Sequence, residues 1–185
     1  MSFIYIHGLN SGTNSTTAKA LKKASIDVIC PKWYGKDSFE KNYLSLKEQV
    51  SDYIDEDTVI ISSSTGSFYA KHLAEEFGTK VVMFNPVVQK EQLYKFVGKQ
   101  TDYETQESYN LTNDIVDTYV PCRHNRVPTL IFASTEDEVL DNEYNIVNNT
   151  YGKVSKVVEI GGNHRVSLTQ QMVDEIVYMS NTFAI

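Results

Sequence analysis

The chain is expected to fold as an α/β domain, a mostly parallel sheet of about six strands with helices on both faces. Two observations carry that expectation. Strand-like apolar runs alternate with helix-like amphipathic runs along the sequence, the pattern of a parallel sheet covered on both sides. The length, 185 residues, suits one compact core. A single domain over residues 1–185 is therefore expected, with a small cap-like segment around 87–127.

The elements follow in order. Phe3 to Ile6 reads as the first strand and leads into the turn-rich loop His7-Gly8-Leu9-Asn10-Ser11-Gly12. Ser15 can cap a helix running through Ala18, Leu21 and Ala24, and Ile26 to Cys30 reads as the next strand, closed by Pro31. Asp37 and Glu40 have capping-box spacing, and Phe39, Tyr43, Leu46, Val50 and Tyr53 recur along one helical face, which marks a helix covering the sheet. Thr58 to Ile61 forms a strand, and the helix beginning near Phe68 ends near Phe77 with Gly78 as its cap. Lys80 to Phe84 is a buried strand stopped by Asn85-Pro86. Between Val87 and Val127 the pattern weakens to a short helix over Leu93 to Val97, ended by Gly98, and a polar segment from Thr101 to Asn110. This cap-like stretch offers Tyr94, Tyr103, Tyr109 and Tyr119 either for substrate contact or for packing against the sheet. Thr129 to Ala133 and Lys156 to Ile160 complete the strands, and Leu168, Met172, Ile176 and Met179 mark a final helix.

Chemistry enters at Ser62-Ser63-Ser64-Thr65-Gly66, a strand-to-helix corner centred on a serine. A nucleophile elbow needs small residues two before and two after the nucleophile, where strand and helix approach. Ser62 and Gly66 meet that demand and select Ser64, with Ser63 the alternative if the strand ends one residue earlier. An ordinary N-cap would also place serines here. Two downstream loops strengthen the catalytic reading, because Asp137 and His164 each lie just past a strand. The order Ser64, Asp137, His164 is the one expected of an α/β-hydrolase. In a parallel sheet those loops converge on one edge. Ser64 is thus the candidate nucleophile, His164 the general base and acid, and Asp137 the residue that orients the imidazole. Glu136, Glu138 and Asp141 are neighbouring alternatives to Asp137. The Thr65 and Leu9 amides are the candidate oxyanion donors, and His7 is expected to brace the Leu9 loop. His72 and His124 are assigned structural or solvent-facing places.

A formal charge of −7 disfavours a phosphate-backbone partner and offers no basic patch for anionic lipid. No basic N-terminal segment precedes a long apolar stretch, so neither membrane insertion nor export is expected and a cytoplasmic location is the default. Cys30 and Cys122 are read as reduced thiols. Contiguous carboxylates around Asp137 are a poor metal cage, so no metal is expected.

The segments Ile4-Tyr5-Ile6-His7-Gly8-Leu9-Asn10-Ser11, Ser62-Ser63-Ser64-Thr65-Gly66 with Tyr69-Ala70, Asn85-Pro86-Val87-Val88, Asp137-Glu138-Val139-Leu140-Asp141 and Gly161-Gly162-Asn163-His164 occur in this order. Together they resemble the small YqiA-like bacterial esterases of the α/β-hydrolase superfamily, nearly end to end. Retinoblastoma-binding-protein-type serine hydrolases are a more distant match. The resemblance implies hydrolysis of acyl esters through Ser64, Asp137 and His164 with no metal or organic cofactor. The chain departs from the family pattern where glycine is usual at Ser62 and Ser67 and a large apolar residue at Thr65. Arg165, after His164, also differs; it would face either solvent or an acidic substrate.

The resulting expectation is a serine hydrolase cleaving carboxylic or thio esters of small to medium acyl groups, acting as a monomer or homodimer. An acyltransferase would use the same triad. A non-catalytic binding protein on this fold would be expected to have lost a triad member.

Overall fold

A computed structural model describes residues 2–122, 124, 126–140 and 155–182. The chain opens with β1 (Phe3–Ile6), α1 (Thr16–Lys23), β2 (Val28–Ile29) and α2 (Phe39–Val50). It continues through β3 (Val59–Ser63), α3 (Gly66–Phe77) and β4 (Lys80–Phe84). An antiparallel ribbon of β5 (Gly98–Thr101) and β6 (Ser108–Leu111) then leads through α4 (Asn113–Asp117) to β7 (Thr129–Ser134), β8 (Ser155–Ile160) and α5 (Gln170–Thr182).

Six strands pair in parallel in the order β2-β1-β3-β4-β7-β8. Register places Ile6 beside Ser62, Ser63 beside Phe84, and Phe84 beside Phe132. The carboxyl ends of the central strands therefore stand level, and the loops after them share one edge.

Alternation along each strand sends successive side chains to opposite faces. Ile4, Ile6, Ile60, Val81, Met83 and Ile131 join one apolar layer with residues of α2 and α3. Tyr5, Ile61, Val82, Phe84, Leu130 and Phe132 join the other with residues of α1 and α5. Strands buried on both faces read as continuous apolar runs, which is why β3 and β4 were legible.

Local signals explain most boundaries. The Ser15 hydroxyl accepts the Ala18 N–H at 3.2 Å and caps α1, and Gly78 ends α3 at φ 71. Ser38, not Asp37, caps α2, accepting the Lys41 N–H at 3.3 Å. Asp37 instead takes the Lys41 ammonium at 2.8 Å. Tyr53 lies past the end of α2 in a short 3-10 turn and is half exposed, outside the buried stripe of Phe39, Leu46 and Val50. Leu168 precedes α5. The segment expected to be irregular from Thr101 to Asn110 contains the turn and second strand of the ribbon. Its polar residues lack the apolar alternation that marks a half-buried strand.

One polar tie crosses the core. Lys71 of α3, fully buried, donates through Nζ to Glu75 Oε1 and to Thr129 Oγ1 of β7, both at 2.9 Å. Glu75 Oε1 also accepts the Arg126 N–H at 2.8 Å. Burial pushes the Glu75 carboxyl up, but the Lys71 and Arg126 bonds outweigh it and hold the group below its ordinary value. Removing Glu75 takes from the buried Lys71 ammonium the carboxylate that offsets its charge. Glu75→Ala is expected to cost about 3–5 kcal/mol in urea denaturation at neutral pH. Because the folded carboxyl value is depressed, that contribution is present above the unfolded value and is lost as pH falls through the folded one. The gap between wild type and variant should therefore narrow below about pH 4.

Candidate active site

Ser64 follows the last residue of β3 with φ 50, a left-handed backbone that costs a non-glycine residue about 1–3 kcal/mol. Main-chain bonds hold it there. Its N–H donates to Phe84 O at 3.0 Å, and its carbonyl accepts from Ser67 N–H at 3.0 Å and Val87 N–H at 3.1 Å. A Cβ on Gly66 would stand 2.4 Å from His7 O and 2.5 Å from Ile6 O, so α3 can start against the end of β1 only with glycine there. A Cβ on Gly8 would stand 3.2 Å from Ser64 Cβ. The loop after β1 thus presses directly on the elbow.

Ser62 and Ser67, two of the departures named above, answer one another. Ser62 Oγ and Ser67 Oγ lie 3.1 Å apart, both fully buried, so each hydroxyl is the other's partner.

His164 Nε2 lies 3.1 Å from Ser64 Oγ, and its Nδ1 lies 2.7 Å from Asp137 Oδ2. Asp137 Oδ1 accepts the Val139 and Leu140 N–H groups at 2.8 and 2.7 Å, which turns the carboxylate toward the imidazole. The Asp137 side chain is 2% exposed and the His164 side chain 15%, so the charge sits in a dry place while the ring keeps an open side. Three loops meet in one hydrogen-bonded line.

The histidine is also held by its main chain. Its N–H donates to Glu138 Oε2 at 2.9 Å, and its carbonyl accepts Asn85 Nδ2 at 3.0 Å. The Asn85 side chain is buried and exchanges bonds with Ser134, receiving the Ser134 N–H at 2.8 Å and donating to Ser134 Oγ at 2.9 Å. It thereby joins the ends of β4 and β7 to the histidine loop. The sequence marks Asn85-Pro86 as a strand stop and Glu138 as an alternative to Asp137, and both within segments of the family resemblance, but it assigns neither side chain a supporting role. No local pattern announces a side chain whose partners lie 49 and 79 residues away.

The other candidates fall elsewhere. Ser63 Oγ lies 2.7 Å from Tyr5 Oη, and Glu136 is exposed. Asp141 lies outside the described residues. His7 Nδ1 lies 2.9 Å from Gly8 O, its ring stacks on Trp33 with centroids 5.4 Å apart, and Trp33 Nε1 donates to His7 O at 2.9 Å. Burial lowers the His7 pKa, so the ring stays neutral and acts as a brace. His72 Nε2 bonds Val120 O at 2.8 Å, and His124 and Arg165 are exposed. Tyr119 is buried against Tyr69, hydroxyl to hydroxyl at 2.9 Å. Tyr94 bonds Asp117, and Tyr103 is exposed. Tyr109 donates to Asn10 Oδ1 of the loop after β1 at 2.5 Å. Among the described residues, the Leu9 and Thr65 amides have no protein acceptor, no group of three His, Cys, Asp or Glu side chains converges as a metal site, and no helix is long and apolar enough to cross a membrane.

A family model described as an uncharacterised protein family, UPF0227, the YqiA-like group, matches residues 2–181. Solved structures share the fold at low sequence identity. Est1E from Butyrivibrio proteoclasticus superposes with a TM-score of 0.70 at 16% identity, over 96% of this chain and 85% of that one. A structure from the metagenome-derived lipolytic enzymes LipS and LipT gives 0.73 at 13%, over 98% and 94%. Mouse alpha/beta hydrolase domain-containing protein 10 gives 0.69 at 14%, over 97% and 88%. The sheet and its helices are those of the α/β-hydrolase fold.

Gly66→Ala tests the elbow packing. Its methyl group would meet two backbone carbonyls that no side-chain rotation can move aside. A loss of about 1–3 kcal/mol or more is expected in urea denaturation, against a few tenths for Gly161→Ala, whose Cβ would meet nothing within 4 Å.

Proposed function

The chain belongs to the UPF0227 family, and we propose that it is a serine hydrolase cleaving carboxylic or thio esters of small to medium acyl groups. One observation carries the reading: the unbroken line from Asp137 through His164 to Ser64, at 2.7 and 3.1 Å.

Ser64 Oγ attacks the acyl carbon while its proton passes to His164 Nε2, and the carbonyl electron pair moves onto oxygen. Asp137 keeps Nδ1 protonated and stabilises the imidazolium that forms. The new oxyanion faces the Thr65 and Leu9 N–H groups. As the tetrahedral centre collapses, the bond to the leaving alkoxide or thiolate breaks and the leaving group takes the proton from Nε2. Water then repeats the sequence on the acyl-enzyme and frees Ser64. These steps use only groups of this chain and water.

The left-handed backbone at Ser64 supports the reading independently. Strain of this kind persists only where the surroundings over-determine it and gathers at functional sites. An ordinary N-cap needs no such backbone.

A fluorophosphonate probe should label the protein on the peptide containing Ser64, and nitrophenyl esters of graded acyl length should be turned over. Ser64→Ala is expected to remove labelling and to lower kcat on the order of a thousandfold or more. His164→Ala should match it, and the double variant should fall no further, because the two groups act as a unit. Labelling at another residue, or turnover that survives Ser64→Ala, contradicts the assignment.

A further inference from the structure

The loop after β1 is gripped from outside the sheet by the β5–β6 ribbon. Gly8, Leu9, Asn10 and Ser11 form a tight turn closed by the Ser11 N–H donating to Gly8 O at 3.2 Å. Asn10 occupies its third position at φ 60, the left-handed placement a type II turn requires. Asparagine is the side chain that accepts this backbone most readily after glycine, so the turn is accessible to the loop, and its exact placement is set by what the Asn10 side chain and carbonyl bond.

The ribbon supplies the hold. Asn10 Oδ1 accepts the Tyr109 hydroxyl at 2.5 Å, Asn10 Nδ2 donates to Gln100 Oε1 at 2.6 Å, and Asn10 O accepts the Tyr103 N–H at 3.0 Å. Gln100 is itself fixed, donating to Phe96 O at 2.6 Å. Further along the loop, Thr13 Oγ1 donates to Glu104 Oε1 at 2.5 Å. Burial raises the Tyr109 pKa, so its phenol remains a donor. From the opposite side, a Cβ on Gly35 would stand 2.0 Å from Tyr109 Oη and 2.7 Å from Leu9 Cδ1, which shows how closely the three residues are fitted.

Resting on the hydrolase reading, we propose that the β5–β6 ribbon is the positioning element of the oxyanion loop. Tyr109, Gln100 and the Tyr103 amide lock Asn10 in its left-handed turn and thereby aim the Leu9 N–H at the oxygen of the tetrahedral intermediate. Tyr109 is then a positioning residue and not a substrate contact. An oxyanion donor works only within a narrow range of about 2.7–3.1 Å from where the charge develops, so a turn released from the ribbon loses that alignment without any change in Ser64 or His164. The loss falls on the transition state, where the oxygen carries charge, far more than on the neutral ester.

Tyr109→Phe keeps the ring and deletes the hydroxyl. Asn10→Gly keeps the left-handed turn accessible and deletes both side-chain anchors. With a nitrophenyl ester, kcat is expected to fall about tenfold or more in each while KM stays within about twofold. Inhibition by a trifluoromethyl ketone, whose adduct with Ser64 bears an oxyanion, should weaken in parallel with kcat/KM. Thermal melts identify which variants are folded. If folded variants keep wild-type kcat, or raise KM at unchanged kcat, the ribbon's role is overturned while the hydrolase reading stands. A wild type that neither labels at Ser64 nor turns over any ester overturns both.

Discussion

The backbone of Ser64 is the constraint from which the site is built. It sits at φ 50 because the start of α3 must pack against the end of β1, and Gly66 reaches within contact of two β1-end carbonyls to do so. The same packing fixes where Thr65 N–H lies, since that residue is the cap of α3. It also brings Gly8 against Ser64, which ties the loop after β1 to the loop after β3. A parallel sheet then supplies everything else at the same edge. The loops after β4, β7 and β8 contribute Asn85, Asp137 and His164 without any long-range search.

The histidine illustrates how such a site can be rigid although its residues stand on loops. Its ring is oriented by Asp137, its N–H by Glu138 and its carbonyl by Asn85. Pre-set geometry of this kind removes the need to order the groups during reaction. The loop after β1 is held alike, with Trp33 on the His7 carbonyl and the ribbon on Asn10.

Much of this was legible in the sequence, for identifiable reasons. The inner strands β1, β3, β4 and β7 are apolar and buried on both faces, so their existence could be read directly. Ser62 and Gly66 marked the corner at Ser64, and places just past strands marked Asp137 and His164, the three side chains that the structure joins by hydrogen bonds. The ribbon was missed because Gly98–Thr101 and Ser108–Leu111 are polar and nearly all partly or fully exposed, leaving no periodic signal. Asn85 and Glu138 were missed as supports because their partners are set by tertiary approach. The Ser62 and Ser67 departures looked like separate oddities in the sequence and proved to be one hydrogen-bonded pair. The Tyr119 aromatic, offered for substrate contact or packing, lies in the core.

A crystal structure of the protein after reaction with a small alkyl fluorophosphonate would test the central claim most directly. The account requires phosphorus on Ser64 Oγ, with the phosphonyl oxygen about 2.7–3.1 Å from both the Leu9 and Thr65 amides and the His164 imidazole beside Ser64 Oγ. Phosphorus on another side chain, or a phosphonyl oxygen turned away from those two amides, would contradict it.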